Sequence, residues 1–174
     1  MGIEYKNLDE KTREHMLLEF NIGGFYESPR LKNGLLSTWL EVFSEGIKSY
    51  SDDWVANRAA EEGLFKEFEE RKTKKGIIQV KVPTNASQML AEGEFNRFYL
   101  RGICSRALSE GCEYIKIYRG KDVSIPRTES EQKIGSLLKV EETLMELRKN
   151  TFVDSSLGLP SGPNSGLTAE IVFK

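Results

Sequence analysis

The densest grouping of charged residues at regular spacing lies between residues 91 and 106, where Glu94, Arg97 and Arg101 stand three and four positions apart. On an α-helix they fall on one face, within about 60° of one another. Phe95, Phe98, Tyr99, Leu100, Ile103 and Ala107 spread over most of the remaining surface. A helix apolar nearly all round is a buried helix. Its charge stripe then has two possible uses. In one it is a structural network, with Glu94 on Arg97 and a second acid on Arg101, because an unpaired buried charge is too costly. In the other, Arg97 and Arg101 grip an anion, either a phosphate or a partner's carboxylates. Glu94 satisfies only one guanidinium, so the further acceptors are expected first from Asp122, Glu129 or Glu131, in the loop after the next strand, and otherwise from backbone carbonyls or a bound partner.

That loop, residues 118–131, is the second cluster. Arg119, Lys121 and Arg127 could contact phosphate, and Asp122, Glu129 and Glu131 could bind a metal. Glu131 and Lys133 match half of a restriction-type nuclease site, but they lie in a polar stretch and not on a strand. A solvated loop of mixed charge is the simpler reading. Residues 71–75 hold four basic residues in five, preceded by Glu67, Glu69 and Glu70. They read as an exposed, self-neutralised hairpin or linker, with no interleaved aromatic residues on which bases could stack. The loop 157–166 lacks the Lys of a phosphate loop and does not open into a helix. It reads as a tight segment packed on a neighbour and anchored by Leu159 and Leu167. His15 reads as exposed and Cys104 as core, so neither supplies a nucleophile or its base.

The elements that must position these groups follow from capping and periodicity. Helices are expected over residues 8–20, capped by Asp9, over 31–49, and from Ser51 to about Glu62. Ile77, Ile78, Val80 and Val82 predict a strand that Pro83 stops. Asn85 and Gln88, at capping-box spacing, open the longest helix, 85–109, which Gly111 ends. Phe98, Leu100, Ile103 and Leu108 are expected in its buried face. Strands are expected at 112–118 and 167–173, with a helical turn at 128–133 and a short helix at 141–149. The result is an α+β fold in one domain: a helical part, 1–63, then a mixed part, 64–174. In the latter, a small mixed or antiparallel sheet of at least three strands packs on the long central helix.

Composition limits the function classes. The chain has 174 residues, 25 basic and 27 acidic, for a net charge of −2. That gives no general attraction to DNA or to an anionic membrane. No apolar run reaches spanning length. One histidine and two cysteines leave no ligand set for a structural metal, and no cofactor is expected. Cys104 and Cys112 suit a reducing compartment, which places the chain in the cytoplasm.

The strings AEGEFNRFYLRG (91–102), YRGK (118–121), PRTESE (126–131) and GLPSGPNSGL (158–167) resemble a group of uncharacterised prokaryotic and prophage-type proteins of about this length. FYESPRL (25–31) belongs to the same resemblance. It implies a single-unit intracellular protein and carries over no catalytic residue. By association it implies a phage head or neck component, or a mobile-element structural protein. The reading is therefore a non-enzymatic interaction or assembly protein, with protein partners or self-association ahead of nucleic acid. The alternative is a phosphate-directed or nucleic-acid-processing enzyme built on Arg97, Arg101, Arg119 and Arg127. The two differ in whether those guanidinium groups converge on one open pocket.

Overall fold

A computed structural model of the chain describes residues 1–160 and 164–174. Its architecture is α+β, as the periodicity predicts. Three helices come first: α1 (Glu10–Ile22), α2 (Leu36–Ser49) and α3 (Asp52–Glu61). The hairpin β1 (Phe68–Thr73) and β2 (Gly76–Lys81) follows, and then the long helix α4 (Ala86–Ser109). The rest is β3 (Tyr114–Arg119), α5 (Thr128–Lys133), β4 (Leu137–Lys139), α6 (Val140–Lys149), α7 (Val153–Ser156) and β5 (Leu167–Ile171). The two sheets are separate: β1 pairs with β2, and β3 lies between β4 and β5, all antiparallel.

Helix α4 is the axis of the core. α1, α3 and α6 pack along it, and β5 touches it from the sheet side. Phe95, Phe98, Leu100 and Ile103 are fully buried. Phe98 sits in an aromatic cluster, stacked on Phe25 at 5.4 Å and edge-on to Phe43 at 5.4 Å. Such rings contribute both buried area and a preferred geometry. Gly102 sets the closeness of α1: a Cβ there would lie 2.5 Å from Met16 Cγ and 3.2 Å from the Met16 amide nitrogen. Leu108 is 44% exposed, against expectation, because its side of the last turn borders an open cavity with Tyr114, Lys139 and Val140 instead of a packed helix.

The caps divide. Asp9 caps α1 as expected, accepting from the Thr12 amide at 2.9 Å. Ser51 and Asn85 occupy their cap positions without a side-chain bond, and Gln88 bonds Glu92 instead, so no capping box forms. The second helix starts at Leu36 and not at residue 31, because Leu31 is drawn into a bridge with Phe65 and Gly34 has φ +82°.

The hairpin alternative holds for residues 71–75, but the extent of β1, and the elements β4 and α7, go beyond the sequence reading. β1 has no β-branched residue until Thr73, and β4 is three residues long, so local propensity gives neither away. The expected tight loop packs as predicted on its described residues. Leu159 and Leu167 are buried. Gly166, at φ +73°, brings its backbone so close that a Cβ would strike the Lys121 carbonyl. Residues 161–163 of that loop lie outside the described residues.

Candidate functional site

Arg97 and Arg101 are both completely buried, and each meets a carboxylate. Arg97 grips Glu94 with two bonds, Nε to Oε1 at 2.8 Å and Nη2 to Oε2 at 2.9 Å. The same guanidinium donates to the Gly24 carbonyl at 2.7 Å and to the Leu147 carbonyl at 3.4 Å. Glu94 Oε2 also accepts from the Tyr26 amide at 3.1 Å. The local half of the network is therefore the i, i+3 pair that spacing predicts.

The other half differs. Arg101 donates to Glu19 Oε2 at 2.9 Å, to the Glu19 carbonyl at 3.1 Å and to the Gly23 carbonyl at 2.9 Å. Arg148 closes on the same carboxylate at 2.6 and 3.0 Å. The loop 118–131 contributes no acceptor to either arginine, and Asp122 and Glu129 are exposed. The reason is geometric: this face of α4 looks toward the C-terminal end of α1 and toward α6, whereas the loop leaves the sheet on another side. The carbonyls at the end of α1, at the negative end of the helix dipole, are natural acceptors for a buried cation. Burial pushes the Glu19 carboxyl up, but bonds from Arg148 and Arg101 outweigh it and hold Glu19 below the ordinary carboxylate range.

The remaining basic residues form a second, separate network. Arg119 donates to the Ser165 carbonyl at 2.6 Å, to Ser130 Oγ at 3.1 Å and to Glu131 at 2.6 Å. Arg127 donates to Asp154 at 2.7 Å and to the Pro160 carbonyl at 2.9 Å. Lys121 pairs with Glu92. The loop 118–131 is thus fastened to the 154–165 segment rather than freely solvated.

Two cavities flank the start of α4. A small pocket of about 130 Å³ sets Glu92, Asn96, Lys121, Asp154 and Ser165 among the apolar Ile3, Val123, Val153 and Leu167. Asn96 Oδ1 is buried there without a partner among the described residues, while its amide donates to the Leu167 carbonyl at 2.9 Å. Ser165 donates to Asp154 at 2.7 Å. Burial raises the Asp154 carboxyl, which its bonds with Ser165 and Arg127 only partly offset. Acceptors outnumber the one cation, so the pocket suits a hydrogen-bond donor such as water and not a phosphate. Beside it lies a larger groove of about 350 Å³, with Tyr26, Pro29, Met89, Leu90 and Phe152 on its walls and floor. Met89 is 44% and Phe152 65% exposed. Gly93 and Asn164 border both cavities.

Of the residues singled out from sequence, Glu94 lines the groove and Lys121 the pocket. Arg97, Arg101, Arg119, Arg127 and Glu131 line neither. Glu19, Arg148, Glu92, Asp154 and Asn96 were missed. Their roles depend on partners far away in the chain, and no spacing rule reveals them. His15 is half-buried and not exposed; its ring meets Ser105 at 2.9 Å across the α1–α4 contact. Cys104 is fully buried, and burial pushes its thiol well up, as suits a core residue. Among the described residues no three His, Cys, Asp or Glu side chains are placed to hold a metal ion, and no helix is long and apolar enough to cross a membrane. No family model, curated protein or solved structure matches this chain.

Proposed function

We propose that this is a non-enzymatic interaction or assembly protein, with the groove over the start of α4 as its protein-binding surface. The observation that carries the reading is the fate of the four arginines. Arg97, Arg101, Arg119 and Arg127 are engaged by Glu94, Glu19, Glu131 and Asp154, and they split between two networks. A phosphate-directed enzyme would need them free and convergent. The open groove instead offers apolar and aromatic side chains with polar edges, the composition that protein partners bury. A virion or mobile-element setting rests on the string resemblance alone.

Size-exclusion chromatography with light scattering, combined with native mass spectrometry, tests this reading. The expected result is a defined multimer, or a protein-binding monomer, free of small ligand. Phe152→Ala should weaken that association without changing the unfolding midpoint. A monomer that retains a nucleotide or phosphorylated compound in stoichiometric amount would overturn it.

A further inference from the structure

The β1–β2 hairpin is unlike the rest of the molecule. Its strands pair over six positions, from Phe68 opposite Lys81 to Thr73 opposite Gly76. Every residue from Glu70 to Gln79 is exposed, on both faces of the ribbon. The two strands make extensive contact with each other, and among the described residues neither packs extensively on any other helix or strand. Thr73 orders the tip: its hydroxyl donates to the Gly76 carbonyl at 2.8 Å and accepts from the Lys75 amide at 3.2 Å.

Charge is equally uneven. Residues 71–81 hold five basic residues and no acidic one, in a chain whose net charge is −2. Among the described residues, none of the acids that precede the run, Glu67, Glu69 and Glu70, forms an ion pair with it, and Glu70 accepts from the Gln79 side-chain amide across the ribbon. Glu69 is bound by Arg30 at the base, with bonds of 2.8 and 3.1 Å. Among the described residues, Arg71, Lys72, Lys74, Lys75 and Lys81 form no ion pair. Directly opposed residues share a face, so Arg71 projects with Ile78 on one side and Lys72 with Ile77 on the other. Cations therefore point from both faces and from the tip.

We propose that this hairpin is a binding arm for double-stranded nucleic acid, held by phosphate contacts from Arg71, Lys72, Lys74 and Lys75. The inference goes beyond the interaction role of the groove and does not depend on it. A ribbon of six residues per strand is about 20 Å long, and a major groove about 12 Å wide admits a two-stranded β-ribbon. Unpaired cations on both faces then meet the two phosphate backbones that flank the groove. Single strands are disfavoured as partners, because no aromatic residue lies between residues 69 and 81 to stack with bases. A second copy of this chain is also disfavoured: lysines along the strands oppose edge-to-edge pairing.

Fluorescence anisotropy with a labelled duplex of about 20 base pairs tests the arm. If four phosphates are neutralised, affinity falls about 150-fold between about 50 and 200 mM salt, and Lys74→Gln with Lys75→Gln reduces that to about 12-fold. Lys74→Arg with Lys75→Arg retains the wild-type salt slope. Unchanged circular dichroism shows that the turn variants are folded, and the paired substitution Lys6→Gln with Lys139→Gln controls for charge elsewhere. The proposal is overturned by absence of duplex binding at low salt or by equal binding of the tip variant. It is equally overturned by equal affinity for a single strand of the same length, or by tip-dependent dimers in light scattering without duplex binding. A failed arm leaves groove-dependent association intact, so the two readings fail separately.

Discussion

Replacing Arg101 by lysine isolates what its buried fork contributes. Arg101 is completely buried and makes three bonds, one to the Glu19 carboxylate and two to the Glu19 and Gly23 carbonyls. Its guanidinium also lies over the Phe98 ring, 4.4 Å from the centroid. Lysine keeps the charge but is a point donor on a shorter reach, so it holds Glu19 or the carbonyls and not both. Glu19 retains Arg148, whose side chain is 40% exposed and therefore the more screened partner. The Gly23 carbonyl is left without its donor. One orphaned half-buried acceptor, one weakened ion pair and a lost ring contact sum to a cost of about 2 kcal/mol for Arg101→Lys. Arg101→Ala, which also uncovers the buried carboxylate, should cost about 3–5 kcal/mol. Urea unfolding at pH 7, followed by far-ultraviolet circular dichroism, reads both. A second mark is pH. Glu19 titrates below its unfolded value, so its contribution is present above the ordinary carboxylate range and disappears as pH falls through the folded value. Arg101→Lys should flatten that acid limb. If Arg101→Lys unfolds within about 0.5 kcal/mol of wild type, the network is not what joins α1 to α4 and the reasoning fails.

Three further substitutions test other links. Phe98→Ala empties the centre of the aromatic cluster and should cost about 3–5 kcal/mol in a denaturant titration, whereas a loss below about 1 kcal/mol would place the cluster outside the cooperative core. Gly102→Ala puts a methyl group against Met16 and should cost about 1–3 kcal/mol by pushing α1 away, seen as a lower melting temperature; an unchanged melt would mean that α1 is loosely held. Asp52 is buried, and burial, with the charges of Asp53 and Glu92 adding to it, raises its carboxyl from 3.8 to about 6. Its ionised form thus opposes folding: the favourable contribution is complete below about pH 4 and is lost as pH rises through about 6. Asp52→Asn should then raise stability at pH 8 by something on the order of 1 kcal/mol and not at pH 4, and a gain equal at both values would contradict this.

The local features of this fold are legible in the chain. Helix α4 appears near its expected boundaries because apolar residues surround it and Gly111 stops it, with φ +71°. The Glu94–Arg97 pair is legible too, since both partners ride on one helix three residues apart. So are the anchors Leu159 and Leu167, which flank a segment that Gly and Pro keep irregular.

Distance in sequence is what defeats the rest. Arg101 declares its need for acceptors, yet the acid that meets it is Glu19, 82 positions away. That acid is supplied because Gly102 lets α1 lie against α4 closely enough for the end of α1 to face Arg101. The hairpin shows the complementary case. Charge alone suggested self-neutralisation, but the pairing of Arg30 with Glu69 removes one acid from the balance, and the β1–β2 register turns the cations outward. Residue types determine which groups must be satisfied, through helix period and desolvation cost. Which group satisfies which depends on how elements far apart in the chain pack, and that is set by the shape of the whole core.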